Sequence, residues 1–310
     1  MSKFSYALYI KDRLNGVTLG NPRASRSLDS TAGRDLQDHP DFFERFKADN
    51  AREFAGILFP ICNGEISYGA RAPLERDLAR LAAAAQKSKP ADVFMTAASP
   101  GVLARFVVNR HYASEDAYLA ALADAMRVEY EAIIAAGFVL QIDCPDMASS
   151  RNTVYQKLSD DEFVKIAGRN VEMLNHATRG LPPEKMRMHI CWGNYEGPHT
   201  YDVPFAKIAA ACFRARPQGL SFEAANPRHA HEWEDFAAAK IPDDKVLIPG
   251  VIDSTTNFVE HPRLVAQRIG KFVDIVGRER VIAGVDCGFG TFASKQPVAT
   301  SVVWSKLKAL

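Results

Sequence analysis

The sequence predicts an α/β fold in which parallel strands and helices alternate, a (β/α)8 barrel of the TIM-barrel type. Three observations point there. From Pro73 onward, six short apolar strands each lead into a helical pattern. Each strand ends in a polar loop, where such a barrel gathers its functional groups. An open doubly wound sheet ranks second, and no Gly-x-Gly-x-x-Gly follows an early strand, so nothing supports a dinucleotide site. Gly284–Gly290 (GVDCGFG) has glycines, but at another spacing and near the far end.

Residues 1–72 read as an irregular segment and an arm, and 73–310 as the strand–helix repeats of one barrel domain. The first fifty residues are polar, broken by Gly16, Gly20, Pro22, Gly33 and Pro40, with a short helix at Asp41–Arg52 and no parallel strand. Gly56–Cys62 and Glu65–Tyr68 flank Asn63-Gly64, which predicts an antiparallel hairpin arm over 56–68. Leu74, Leu78, Leu81 and Ala82 give Leu74–Lys87 a helical period. Asp92–Thr96 is a strand. Ser114 caps a helix running to about Ala135, and Gly137–Asp143 is the next strand. Ser159 to Glu162 form a capping box that opens a helix to about Thr178. His189–Trp192 is a buried strand, Phe205–Arg214 a helix, Leu220–Glu223 a strand and His231–Ala239 a helix. Val246–Val251, Leu264–Val276 and Val281–Val285 continue the alternation, and Pro297–Leu310 forms a last helix carrying Trp304.

The 310 residues are 47% hydrophobic and 24% charged, an ordinary globular balance. Lys plus Arg number 38 and Asp plus Glu 37, scattered along the chain, so no basic patch argues for nucleic acid or an anionic membrane. No apolar run is long enough to span a bilayer, and Met1–Leu14 lacks a secretory core. Five widely spaced cysteines, 62, 144, 191, 212 and 287, argue against a disulfide framework and for a reducing, cytoplasmic setting.

The strand ends supply Asp143, His189, Cys191, Glu223, Asp253 and Cys287. In a strand, His189 and Cys191 point the same way. An imidazole, two thiolates and a carboxylate (His189, Cys191, Cys287, Glu223) make a plausible zinc set on a rigid scaffold. Glu223 would be the ligand able to leave for an incoming thiol. Each residue has a plainer reading. His189 and Cys191 fit a core strand with an inert thiol, Glu223 fits a helix cap or a pair with Arg228, and Cys287 fits a tight turn. Cys62, Cys144 and Cys212 read as structural. His229 and His231 look like a metal pair, but they stand at a helix start, which favours solvent or capping roles. His39, His111 and His176 read as surface residues. Trp192, Tyr195 and Tyr201 either wall a pocket or pack in the core, and His199 lies in a loop within reach of the site.

The ordered set Leu140-Gln141-Ile142-Asp143, His189-Ile190-Cys191, Ser221-Phe222-Glu223 and Val285-Asp286-Cys287-Gly288 resembles the catalytic domain of cobalamin-independent methionine synthase and its small relatives, over Asp92–Gly290. The resemblance implies a (β/α)8 barrel with Zn2+ on its C-terminal face. His189, Cys191, Glu223 and Cys287 would be its ligands, Asp143 would hold a substrate amino group, and the reaction would be alkyl or methyl transfer to a small thiol through a zinc-bound thiolate. Asp143 and Asp253 are then the candidate catalytic carboxylates, and Trp192, Tyr195 and His199 candidate substrate contacts. Relatives of this size include epoxide:thiol transferases. The match to the family begins at Ser5–Gly16, after two barrel strands that the family has. The loop Asp253-Ser254-Thr255-Thr256 lacks the histidine that the synthase has there, and no folate-binding domain is present. A partner or residues 17–50 would close the barrel, and the chain is expected to form a homo-oligomer or to join a partner subunit. The competing readings are a non-zinc barrel lyase such as a decarboxylase, and a shortened, non-catalytic or partner-dependent member of the family.

Overall fold

The computed structural model describes residues 5–20, 33–54, 58–291 and 296–310. Pro22 and the expected strand start at Gly56 lie outside the described residues. Nine strands follow in order: β1 (Leu14–Gly20), β2 (Phe59–Tyr68), β3 (Phe94–Ala98), β4 (Val108–Asn109), β5 (Val139–Asp143), β6 (Met186–His189), β7 (Gly219–Phe222), β8 (Val246–Ile252) and β9 (Gly284–Val285), counted among the described residues. They form two sheets, β1-β2-β4 and the parallel β3-β5-β6-β7-β8-β9. The six-stranded sheet curls into part of a (β/α)8-type barrel. Among the described residues no strand joins β9 back to β3.

Register explains how the strand ends meet. Ala98 pairs with Asp143, Asp143 with His189 and His189 with Ser221, so one row of side chains crosses four strands at their C-terminal ends. One repeat lower, Thr96, Gln141, Arg187 and Gly219 form the next row. Period-two alternation turns Leu220 and Phe222 outward and leaves Ser221 inside. Outside, Phe222 joins Phe205, Phe236 and Phe272, with Phe205 and Phe236 stacked at 3.8 Å. This aromatic wedge seats the helices Phe205–Phe213, Trp233–Ala238 and Pro262–Val276 on the sheet.

Several expected elements form where their local chemistry directs. Ser114 and Ser159 cap their helices, and Ser159 with Glu162 closes the full capping box. The short helix forms as Pro40–Phe54 and the last helix as Thr300–Ala309. His231 falls just ahead of its helix, which begins at Trp233.

The hairpin is a correction. The antiparallel arm exists, but Asn63-Gly64 is not its turn. Residues 59–68 are one strand whose antiparallel partner is β1, with Leu14 opposite Tyr68 and Gly20 opposite Phe59. The register slips between Asn15 and Val17, so Asn63-Gly64 lies in a bulge of β2. Gly16 faces it with φ +76, and a Cβ there would meet the Glu65 carbonyl oxygen at 2.3 Å. The Asn-Gly signal marks a backbone irregularity in either case. What settles its type is a partner strand far upstream.

The N-terminal segment is fixed to the barrel by a buried charge network. Arg13 (1% exposed) donates to Glu129 (0%) at 3.0 Å and to Asp77 at 2.7 Å. The Tyr9 and Tyr68 hydroxyls donate to the same Glu129. Tyr9 also accepts from the Ala98 N–H at the end of β3. Removing one member would strand a buried charge, at about 3–5 kcal/mol. No helix among the described residues is long and apolar enough to cross a membrane.

Candidate metal centre

The strand expected to continue through Trp192 ends at His189, because β5 leaves the sheet at Cys144-Pro145. The loop after β5 takes over the hydrogen bonds. Cys144 N–H donates to His189 O at 2.8 Å and Ser149 N–H to Cys191 O at 3.1 Å. Cys191 is therefore a loop residue, yet it remains beside His189. The donor atoms of His189, Cys191 and Cys287 all lie within 4.8 Å of one another. The two sulfurs are 3.5 Å apart, far beyond a disulfide. Two thiolates on one tetrahedral zinc ion would stand about 3.8 Å apart, from Zn–S bonds of about 2.3 Å. His189 Nδ1 faces Ser221 Oγ at 3.2 Å, while its buried Nε2 has no nitrogen or oxygen hydrogen-bond partner among the described residues. An orphaned buried nitrogen beside two thiols fits a metal ligand set.

Glu223 (1% exposed) lies against this trio rather than within it. Its Oε1 is 3.4 Å from Cys287 Sγ and accepts from Trp192 N–H at 2.8 Å. Its Oε2 accepts from Asn226 and from Arg228, both at 2.8 Å. The pair with Arg228 that the sequence left open is thus formed. Burial opposes the charge on Glu223, but Arg228, then His229 and the Trp192 N–H, hold its carboxyl below the usual range. The Cys287 thiol, donating to Cys191, pulls Cys191 down to about 6, with His189 adding to the effect. Burial and the neighbouring Cys191 push Cys287 up. One thiol of the pair thus ionises readily and the other keeps its proton.

Asp286 is a residue that the sequence reading quoted but gave no role. Its Oδ1 accepts from the Ala224 and Ala225 N–H groups, and its Oδ2 from the N–H and side chain of Asn226, all at 2.9–3.0 Å. Burial, then the Glu223 charge, pushes its carboxyl up to about 7. Every neighbour is a donor, however, and only the carboxylate satisfies them all. A Cβ on Gly250 would meet Asp286 Oδ1 at 2.1 Å, so only glycine admits this contact. Asp286 thereby ties the Cys287 loop to the Glu223 loop. Ser254 and Asn194 do the same for Cys287 and Cys191. Ser254 Oγ accepts from Cys287 N–H and donates to Asn194, whose amide donates to Gly288 O.

The other candidates are placed as follows. Asp143 stands beside His189 in the row and accepts from Gln141 at 3.0 Å. Asp253 is not brought to the trio. Its carboxylate accepts from Thr255 and Thr256 of its own loop, and these bonds, against burial, hold its carboxyl below the usual range. Trp192 is buried, donates from Nε1 to Val203 O and lies 4.3 Å from the His229 ring. Tyr195 packs between Phe46 and His199, and Tyr201 donates to Asp38. His229 corrects the expectation of a solvent or capping role. It is buried and bridges Asp202 and Glu232, which raise it to about 9 against the effect of burial. Its partners Asp202 and Glu232 carry no motif of their own.

No family model matches the chain. A methionine synthase of Thermococcus kodakarensis is 28% identical over 190 residues, 61% of this chain and 48% of that protein. One from Saccharolobus solfataricus is 25% identical over 206 residues, 65% of this chain and 53% of its own length. A solved B12-independent methionine synthase from Shewanella sp. W3-18-1, in complex with selenomethionine, superimposes with a TM-score of 0.66 at 18% identity. It covers 98% of this chain and 76% of that one. The chain resembles the B12-independent methionine synthases. A 2-hydroxypropyl-CoM lyase of Xanthobacter autotrophicus is also similar, 26% identical over 144 residues and 38% of each protein. The chain spans about half the length of the methionine synthases it matches. The structural likeness gives this fold as methionine-synthase-like, and the sequence relatives are enzymes acting on small molecules.

Proposed function

We propose that the chain transfers an alkyl or methyl group to the sulfur of a small thiol, with zinc held by His189, Cys191 and Cys287 and with Glu223 as a fourth, displaceable ligand. The observation that carries this reading is the clustering of the three donor atoms within 4.8 Å, around a buried imidazole nitrogen that has no nitrogen or oxygen hydrogen-bond partner among the described residues. Bound zinc would lower the pKa of a thiol so that the thiolate is present at neutral pH. The relatives' names fit such chemistry, because methionine and 2-hydroxypropyl-CoM are both thioethers. In the protein, Arg228, Asn226 and the Trp192 N–H hold Glu223 ionised against Cys287, and a thiol arriving there would release that carboxylate to Arg228. Asp143, inward-facing in the same row as His189, would receive a substrate ammonium group. We take residues 1–310 to work as one barrel unit and the substrates to be a small thiol and an alkyl donor, in the cytoplasm.

Metal analysis tests this reading. Purified protein should carry about one zinc per chain, and Cys191→Ser and Cys287→Ser should lose it while Cys212→Ser keeps it. Metal-free wild-type protein that takes up no zinc when supplied would overturn the reading.

A further inference from the structure

The loop after Cys191 carries a second set of titratable groups outside the proposed donor set. His199 is 6% exposed and adopts a left-handed backbone, φ +54. Its Nδ1 faces Asp202 Oδ2 at 2.9 Å. The same oxygen is reached by His229 Nε2 at 3.2 Å, and His229 Nδ1 faces Glu232 Oε2 at 3.0 Å. Glu232 is held in turn by the Phe205 N–H. An acceptor on Nδ1 puts the His199 proton there and leaves the lone pair on Nε2. That nitrogen is buried and has no hydrogen-bond partner among the described residues. Buried polar atoms are nearly always paired, so an orphan calls for a function.

The ring is held against the loop that carries Cys191. A Cβ on Gly193 would meet His199 Cε1 at 3.0 Å, and the Tyr195 ring covers the imidazole at 4.3 Å. The Gly193 carbonyl accepts from Arg228, which also holds Glu223. The charged groups around His199 are Asp202, with His229, Glu232 and Arg228 beyond it, Glu223 from the end of β7, and Asp35, which accepts from the Thr200 N–H. Across the site, residues 253–256 offer no imidazole.

We propose that His199 Nε2 accepts the proton of the incoming thiol and that Asp202 is its positioning residue, an inference that rests on the thiol-alkylation reading. The thiol S–H bond breaks, its electron pair stays on sulfur, and the proton moves to Nε2, where Asp202 balances the imidazolium charge. In the transfer that follows, the sulfur pair forms the bond to the alkyl carbon. The bond from that carbon to its donor breaks with its pair on the donor, which then receives the proton from Nε2. No further reactant is needed.

The test uses zinc-loaded full-length protein with homocysteine or 2-mercaptoethanol as probe. Nitrogen-15 NMR of His199 should show Nε2 gaining a proton when the thiol is added. Calorimetry near pH 7.5 in phosphate and in Tris should show His199→Gln releasing about one proton more per bound thiol than wild type. Asp202→Asn should fall between them. A cobalt-substituted sample reports separately whether the thiol reaches the metal. If the cobalt spectrum responds while His199 Nε2 gains no proton and His199→Gln releases no extra proton, His199 is not the acceptor. If the cobalt spectrum does not respond, the thiol-alkylation reading fails, and this proposal with it. The NMR measurement needs no variant, so a His199→Gln chain that failed to fold would leave the decision intact.

Discussion

Replacing Asp286 by alanine removes the acceptor for four hydrogen bonds, three from the backbone N–H groups of Ala224, Ala225 and Asn226 and one from the Asn226 side chain. Asp286 is 2% exposed, so water cannot readily take its place. Each buried backbone donor left without an acceptor costs about 1–3 kcal/mol, which gives about 3–9 kcal/mol for the three. Relief of the buried carboxylate's own desolvation returns part of that sum, so the lower half of the range is expected. Asp286→Asn keeps one acceptor oxygen and turns an NH2 group toward the other donors, and should cost about 2–4 kcal/mol. A typical domain has only about 5–15 kcal/mol of stability, so both losses are large. Urea unfolding followed by far-UV circular dichroism measures them, and the midpoint should fall in the order wild type, Asp286→Asn, Asp286→Ala. A loss below about 1 kcal/mol in the alanine variant would refute the claim that this carboxylate clamps the Cys287 and Glu223 loops together.

Other perturbations probe different parts of the molecule. Arg228→Met leaves the buried Glu223 charge without its cation and should cost about 3–5 kcal/mol in urea unfolding, with Arg228→Lys recovering part of it. Gly16→Ala, at φ +76 and against the Glu65 carbonyl, should cost about 1–3 kcal/mol, whereas Gly64→Ala should be nearly neutral. Equal losses at the two glycines would favour a tight Asn63-Gly64 turn. His229 has its folded pKa raised to about 9, above its unfolded value. Its contribution to stability is therefore full below about pH 6.5 and is lost as pH rises through about 9. The stability gap between wild type and His229→Asn should shrink over that window, and a gap that widened there would contradict the ion-pair assignment.

Much of the fold was legible because it rests on local chemistry. The apolar runs around Leu140, Leu220 and Leu247 form buried parallel strands, and the Ser159–Glu162 box starts its helix as its spacing requires. Asn63-Gly64 misled because a turn and a bulge use the same residues, and the choice belongs to a partner strand that period-two patterning does not name. The donor trio was legible because strand ends in a barrel converge whatever lies between them. The surroundings of the trio were not. Whether Glu223 meets Arg228, whether Asp253 turns into its own threonines and whether His229 is buried between Asp202 and Glu232 all depend on loop paths that no periodicity encodes. Asp286 stood next to a recognised cysteine, and its position one residue before Cys287 was the single sequence signal for its role.

The central claim is that this cluster holds a metal and presents it to a thiol. Titration of cobalt-substituted protein with homocysteine and with 2-mercaptoethanol, followed in the visible and near-ultraviolet, tests it most directly. Both thiols should produce a saturable change in the cobalt bands that is absent in Cys287→Ser. A fully cobalt-loaded wild-type protein whose spectrum is unchanged by either thiol would contradict it.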